Sequence, residues 1–348
     1  VMAGQTPIGG GAPITIQSMT NTDTRDVEAT LAQIGLLARA GCDIVRCTVP
    51  DKTAALALRS IKDGCSLPLV ADIHFDHRLA ILAMENGADK IRINPGNIGG
   101  PAKVRELTAC AKAHGVPIRI GVNAGSLEKE LYQKYGGATP QAMVESALSH
   151  AALLEAEGFY EIVISLKASG VEDTVAAYEA LAEACPYPLH IGITEAGSGP
   201  AGLVKSAAGL GILLHEGLGD TLRISLTGEP VQEVEAARHL LRAMGLRKEG
   251  VEIVSCPTCG RTGFDLLPIV RRVEEALPKD GPYLKVAVMG CAVNGPGEAR
   301  DADVGVAFGG GKGVLFAGGK QLGVFPKEQA VEALIEEAKR RLETVAQG

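Results

Sequence analysis

The 348-residue chain has room for about two domains at roughly 150 residues each, and so for one large barrel. Its 34 basic and 41 acidic residues leave a net charge of −7, which argues against general nucleic-acid binding, since that needs a basic face. With six Phe, six Tyr and no Trp, stacking platforms for bases or sugars are not expected.

Hydrophobic residues make up 46% of the chain, enough for a sizeable core. No apolar run reaches the roughly 18 residues of a membrane span. Val1-Met2-Ala3-Gly4 lacks the charged and apolar regions of a signal peptide. A cytoplasmic protein without membrane contact is expected, and the start on Val suggests that a few residues precede it. Eight cysteines in such a chain read as thiols or metal ligands rather than disulfides.

Along the first 245 residues one pattern repeats: a short β-branched run ending in polar residues, then a helical stretch. Eight runs carry it, at 14–20, 43–49, 69–75, 90–94, 118–123, 161–167, 189–194 and 221–227. Helix-like segments such as 26–40, 51–63, 103–114, 141–157, 174–184 and 231–244 lie between them. Alternating strands and helices imply βαβ units and a parallel sheet. Eight such units predict a (β/α)8 barrel over 1–245. An open doubly wound sheet is the alternative, but no Gly-x-Gly-x-x-Gly follows the first strand.

Gly245–Gly250 breaks the pattern and reads as a linker. A small α+β domain is expected over 250–348. Its strands are predicted at 251–254, 284–288, 304–308 and 314–316, with a helix at about 265–276 and an amphipathic helix over 327–345. Gly309–Gly313 reads as a hairpin turn, because the P-loop pattern fails. Lys339-Arg340-Arg341 reads as a solvated helix end.

Residues two apart on a strand share a face. In the barrel strands one phase is apolar: Ile91 and Ile93, Ile118 and Ile120, Ile164 and Leu166, Ile224 and Leu226. The other phase carries Arg46, Asp72, His74, Arg92, Asn94, Arg119, Asn123, Ser165, Lys167, His190, Thr194, Arg223, Ser225 and Thr227. The apolar phase belongs against the helices, so the polar phase points into the barrel. Burying cations there without partners is very costly. Arg46, Arg92, Arg119, Lys167 and Arg223 therefore predict a wet pocket for an anion, and a diphosphate suits so many cations. The plainer alternative pairs each cation with an acid near a strand end, but only Asp72 and Glu195 stand near that phase. Glu195, just past the seventh strand, sits where a general acid would.

Cys256-Pro257-Thr258-Cys259 is a C-x-x-C after a strand, and Cys291 follows 32 positions later. Structural zinc needs a fourth Cys or His, and none follows Cys291. A bare dithiol leaves Cys291 unexplained. An iron–sulfur cluster accommodates three thiolates, with Glu298 as an oxygen ligand at the end of a Gly-Pro-Gly turn. Cys42, Cys47, Cys65, Cys110 and Cys185 read as small buried hydrophobes.

The chain resembles the 4-hydroxy-3-methylbut-2-enyl diphosphate synthase family, in its shorter bacterial form, over essentially its whole length. The matching stretches include Gln17–Thr22, Ala71–Asp76, Arg92–Asn97, Gly121–Leu127, Gly192–Gly197, Cys256–Cys259 and Asn294–Glu298. The resemblance implies an oxidoreductase late in the methylerythritol phosphate route to isoprenoids. It implies a [4Fe–4S] cluster on Cys256, Cys259 and Cys291, with Glu298 on the fourth iron until a substrate oxygen replaces it. It implies that 2-C-methyl-D-erythritol 2,4-cyclodiphosphate binds through Arg46, Arg92, Arg119, Lys167, Arg223 and Ser225, with His74 and Asn123 nearby and Glu195 supplying a proton. Ferredoxin or flavodoxin as donor, and a head-to-tail homodimer, are further implications. A redox-neutral phosphosugar lyase or isomerase with a structural metal module is the alternative reading.

Overall fold

The computed structural model describes residues 1–74, 76–94, 99–262 and 264–347. Phe75, and 95–97 of the Arg92–Asn97 stretch, lie outside the described residues. The chain divides into two compact units, Val1–Arg247 and Lys248–Gly348.

The first unit opens with a small hairpin, β1 (Met2–Ala3) and β2 (Thr6–Pro7). Strands and helices then alternate: β3 (Thr15–Met19), α1 (Val27–Arg39), β4 (Ile44–Thr48), α2 (Lys52–Gly64), β5 (Leu69–Asp72), α3 (His77–Glu85), β6 (Lys90–Ile93) and α4 (Pro101–His114). After β7 (Ile118–Asn123) come a short 3-10 turn at Ala124–Ser126, α5 (Lys129–Tyr135) and α6 (Pro140–Glu155). The series ends with β8 (Ile162–Lys167), α7 (Val171–Ala184), β9 (His190–Ile191), α8 (Gly199–His215), β10 (Thr221–Leu222) and α9 (Pro230–Ala243).

Strands β3 to β10 form an eight-stranded sheet in the order β8-β7-β6-β5-β4-β3-β10-β9, and a parallel bridge between Ile164 and Leu189 joins its two ends. The expected (β/α)8 barrel is present. Its helices start where the sequence supplies caps: Asp26 accepts the Ala29 N–H at 3.0 Å, Asp51 the Ala54 N–H at 2.9 Å, and Thr139 the Ala142 N–H at 3.2 Å. Each such cap contributes about 1 kcal/mol.

The apolar phase packs against the helices as expected. Ile91, Ile93, Ile118, Ile120, Ile164, Leu166 and Ile224 share one buried cluster with Ile34, Leu37, Leu58 and Leu241. Deleting one such side chain, as in Leu58→Ala, costs about 3 kcal/mol. A separate small cluster closes the lower end, where Ala3 and Ile8 of the N-terminal segment pack on Ile44, Val70 and Val163.

Two differences from the sequence reading have physical causes. Strands β9 and β10 are short, because the chain beyond them turns to serve the site: the Leu226 N–H goes to Glu233 and the Thr227 N–H to the Gly197 carbonyl. Helix α8 carries four glycines, which weaken its helical signal in the sequence. A Cβ at Gly209 would fall 2.6 Å from Ile193, so glycine lets the helix lie close on the sheet. Helix α3 is short, with nine residues.

The second unit contains β11 (Val251–Ser255), α10 (Leu267–Ala276), β12 (Leu284–Met289), α11 (Gly295–Asp301), β13 (Val304–Gly309), β14 (Lys312–Ala317), β15 (Lys320–Pro326) and α12 (Lys327–Gln347). Strand order follows chain order; β11, β12 and β13 are parallel, and β13, β14 and β15 antiparallel. The core joins Val286, Val288, Val304 and Val306 to Leu334 and Ala338 of α12. Gly310 and Gly311 take φ of 57° and 75° at the expected hairpin tip, a combination that favours glycine.

Two corrections arise here. Strand β15 was not foreseen. The Gly-Pro-Gly turn is instead the first turn of α11, with Pro at its start and Glu298 exposed in that turn. Proline suits a first helical turn, whose N–H groups lack intrahelical partners anyway.

Candidate functional site

The eight substrate residues expected from the sequence, Arg46, His74, Arg92, Arg119, Asn123, Lys167, Arg223 and Ser225, line one cavity of about 240 Å³ together with Asp72, Ser165 and Thr194. A second cavity of about 400 Å³ shares Asn123, Lys167 and Thr194 with it and adds Ala124, Gly125, Ser126, Ser169 and Glu195. The C-terminal ends of barrel strands supply these side chains, the end where barrel enzymes place their chemistry.

The cations differ in how they are held. Arg92 donates to Asp72 at 3.2 Å, and Arg46 lies 3.6 Å from the same carboxylate. Burial works against the Asp72 carboxylate, but Arg46 and Arg92 outweigh it and hold its pKa at about 2. Arg46 also donates to the Met19 sulfur at 2.9 and 3.2 Å. Burial, with Arg223 and Arg92 nearby, brings Arg46 down to about 10. Arg223 is paired with Glu233. The plainer alternative therefore holds for three of the five cations.

Arg119 and Lys167 are different. Among the described residues neither has an ion-pair partner, and Arg119 Nε and Nη1 make no hydrogen bond although Arg119 is 1% exposed. Burial lowers the pKa of both groups well below their ordinary values, and neighbouring arginines push the same way. An anion in the cavity would supply the missing partner. Gly121 makes this geometry possible, because a Cβ there would lie 2.4 Å from Arg92 Nε.

Glu195 is exposed at the rim and has φ of 52°, the only non-glycine residue with positive φ among the described residues. Such backbone strain costs on the order of 1 kcal/mol and concentrates at functional positions.

Sequence reasoning missed Glu233. It sits in the first turn of α9, 3% exposed, and accepts from Arg223, the Leu226 N–H and Ser18 Oγ. Its signal was an acid at the start of a helix facing the barrel, which strand phase does not reveal. Met19 was missed for a similar reason, since an apolar side chain carries no charge signal.

In the second unit, the Gly290 N–H donates to Cys256 Sγ at 3.1 Å, one residue from Cys291. Backbone N–H groups of Val293, Asn294 and Gly295, at the start of α11, lower the Cys291 pKa. The Arg261 N–H and then its side chain lower that of Cys259. Arg261 acts on both Cys259 and Cys291, which brings those thiols to one guanidinium. Among the described residues no three His, Cys, Asp or Glu side chains close on a single metal ion. A four-iron cluster takes its thiolates on separate irons, and three thiols each served by N–H donors fit that group. The other five cysteines are free and at least partly buried; burial raises Cys42 to about 12 and Cys47 to about 11.

Fold and cavity define a class: a (β/α)8 barrel with a polar, cation-rich mouth, followed by an α+β domain bearing a trio of thiols. The chain belongs to the GcpE family, with residues 1–238 matching its GcpE TIM-barrel domain and 252–340 its GcpE protein C-terminal domain. A protein of Maridesulfovibrio salexigens is 58% identical over 340 residues, covering 98% of this chain and 94% of that one. One of Caldanaerobacter subterraneus subsp. tengcongensis is 56% identical over 340 residues, covering 98% and 96%. Both relatives are named 4-hydroxy-3-methylbut-2-en-1-yl diphosphate synthase (flavodoxin).

Proposed function

We propose that this chain is an oxidoreductase that converts 2-C-methyl-D-erythritol 2,4-cyclodiphosphate to 4-hydroxy-3-methylbut-2-enyl diphosphate, with reduced flavodoxin as donor. The observation that carries the reading is one cavity lined by Arg46, Arg92, Arg119, Lys167 and Arg223, in which Arg119 and Lys167 have no ion-pair partner among the described residues. In the reaction the C2–O bond to phosphate breaks, the C3 hydroxyl leaves as water, and a C2=C3 double bond forms. Two electrons and two protons enter, counted on the protonated phosphates.

The diphosphate takes Arg119 and Lys167 as its first partners, since these carry no carboxylate of their own. Arg46, Arg92 and Arg223 are already oriented by Asp72 and Glu233, so they meet the ligand without reorganising. Ser225, His74 and Asn123 line the same cavity. As the C2–O bond breaks, the charge developing on the phosphate oxygen falls among these donors. Glu195, at the rim beside Asn123 and Lys167, delivers a proton to the departing hydroxyl. A [4Fe–4S] cluster on Cys256, Cys259 and Cys291, with Glu298 as its oxygen ligand, supplies the electrons when bound. The working unit is a head-to-tail homodimer in the cytoplasm, in which the thiol domain of one copy serves the barrel of the other.

Anaerobic purification with iron, sulfide and zinc analysis tests this, alongside turnover of the cyclodiphosphate with reduced flavodoxin. A brown protein with about four irons per chain, reductive turnover, and loss of both in Cys291→Ser are expected. A colourless zinc protein that turns over phosphosugars without reductant would overturn it.

A further inference from the structure

Below the cavity the barrel interior stays polar. Lys90 stands two positions before Arg92 on β6, and Gln17 two before Met19 on β3. His190 lies beside Thr221, and Thr221 beside Thr15, across β9, β10 and β3. Lys90 and His190 are both 0% exposed. Lys90 Nζ and both His190 ring nitrogens have no hydrogen-bond partner, and neither do the Gln17 amide atoms or the two threonine hydroxyls. With Arg119 Nε and Nη1 these make nine of the thirteen such side-chain atoms among the described residues. The deficit is therefore concentrated on the barrel axis rather than scattered.

The surrounding charges share one sign. Arg46 and Arg119 face Lys90. Arg119, Lys167, Lys90 and Arg46 face His190. Asp72 is already engaged by Arg92 and Arg46, and Glu233 by Arg223. From below, Ala3 and Ile8 bring apolar surface, and the carboxylates beside that segment are engaged elsewhere, Asp89 by Lys62 and the Leu69 N–H and Asp220 by the Leu189 N–H. An ammonium or imidazolium without a counter-charge is very costly in such surroundings, so burial and the neighbouring cations favour the neutral form of both groups while the cavity contains no anion. A bound dianion reverses the field from above.

We propose that Lys90 and His190 form a proton-accepting well beneath the cavity, protonated from solvent as the anionic substrate binds. Each event places one proton from buffer on the Lys90 amine or a His190 ring nitrogen, and no bond of the substrate changes. The inference rests on the reading that the cavity binds the cyclodiphosphate.

Calorimetric titration of the oxidised protein with the cyclodiphosphate, without reductant, tests it in two buffers of different ionisation enthalpy near neutral pH. Each phosphate of this ligand is a diester-like group with no second ionisation near neutrality, so any proton exchanged belongs to the protein. Net uptake on the order of one proton per ligand is expected, with Kd tightening up to about tenfold per unit fall in pH. Lys167 lines the cavity and shares the same field, so variants separate the contributions. Lys90→Met, which keeps the stem volume, and Lys90→Met with His190→Gln should lose at least half of the uptake and flatten the pH dependence. Thermal melts check that both variants fold.

Equal apparent heats in both buffers for the wild type, or an unchanged proton count in the double variant, would overturn the well. Heats that follow chloride concentration instead would mean a resident anion and overturn it equally. Absence of any binding to the wild type would remove the cavity reading as well, a failure visible separately from proton count.

Discussion

Glu233 grips Arg223 through both carboxylate oxygens, at 3.1 and 3.2 Å, while taking the Leu226 N–H at 3.0 Å. One side chain at the start of α9 thus aims a cavity arginine and fixes the backbone that carries Ser225. Removing a buried partner leaves an uncompensated charge, at about 3 kcal/mol. Glu233→Gln is expected to lower stability by that order in urea unfolding. The cyclodiphosphate should raise the variant's melting temperature more than the wild type's, because the ligand supplies the missing anion. An equal rise in both would show that Arg223 does not meet the ligand.

Glu195 combines a rim position with φ of 52°. Glu195→Gly removes the left-handed strain, so its stability should be unchanged or up to about 1 kcal/mol higher. Turnover should fall by about 100-fold or more if the carboxyl donates the proton. Thermal melts and single-turnover assays on the same preparation check both halves.

Gly121 lies so close to Arg92 that even a methyl group displaces the guanidinium. Gly121→Ala should pull Arg92 from Asp72 and weaken cyclodiphosphate binding by about tenfold, or about 1.4 kcal/mol. Calorimetry reads this directly, and an unchanged Kd would place Arg92 outside the binding set.

Lys90 gives a pH dependence whose sign is fixed. Burial holds its folded pKa well below 10.5, the ordinary lysine value. Between the two values the unfolded chain binds the proton and the folded chain does not, so the wild type gains stability as pH rises. Lys90→Met should therefore be more stable than wild type. That gain should shrink by up to about 1.4 kcal/mol per pH unit toward pH 10.5. Denaturant midpoints across the alkaline range measure it, and a constant difference would mean that Lys90 keeps its charge.

Strand phase made the cavity legible, because inward positions on a parallel barrel repeat every second residue and charge there has few explanations. Arg46, Arg92, Arg119, Lys167 and Arg223 stood out for that reason. Glu233 did not, because a helix repeats every 3.6 residues and its first-turn acid looks like an ordinary dipole partner. Lys90 shared the right phase but stood first in its strand, where a lysine reads as a solvated end. In the second unit the C-x-x-C was plain. The start of α11 was hidden by glycines that read as a turn, although its N–H groups serve Cys291.

The apolar stopper of Ala3 and Ile8 under the barrel makes the interior a blind vessel. Among the described residues the cavity has its door at the strand ends, for solvent, substrate and protons alike. While that door stands open, the interior equilibrates with bulk acidity; once a ligand fills it, whatever charge state was reached is locked in until release. The bound complex then carries a memory of the pH at which substrate entered, and a rapid pH jump after binding should leave its proton count unchanged, whereas the same jump before binding should change it.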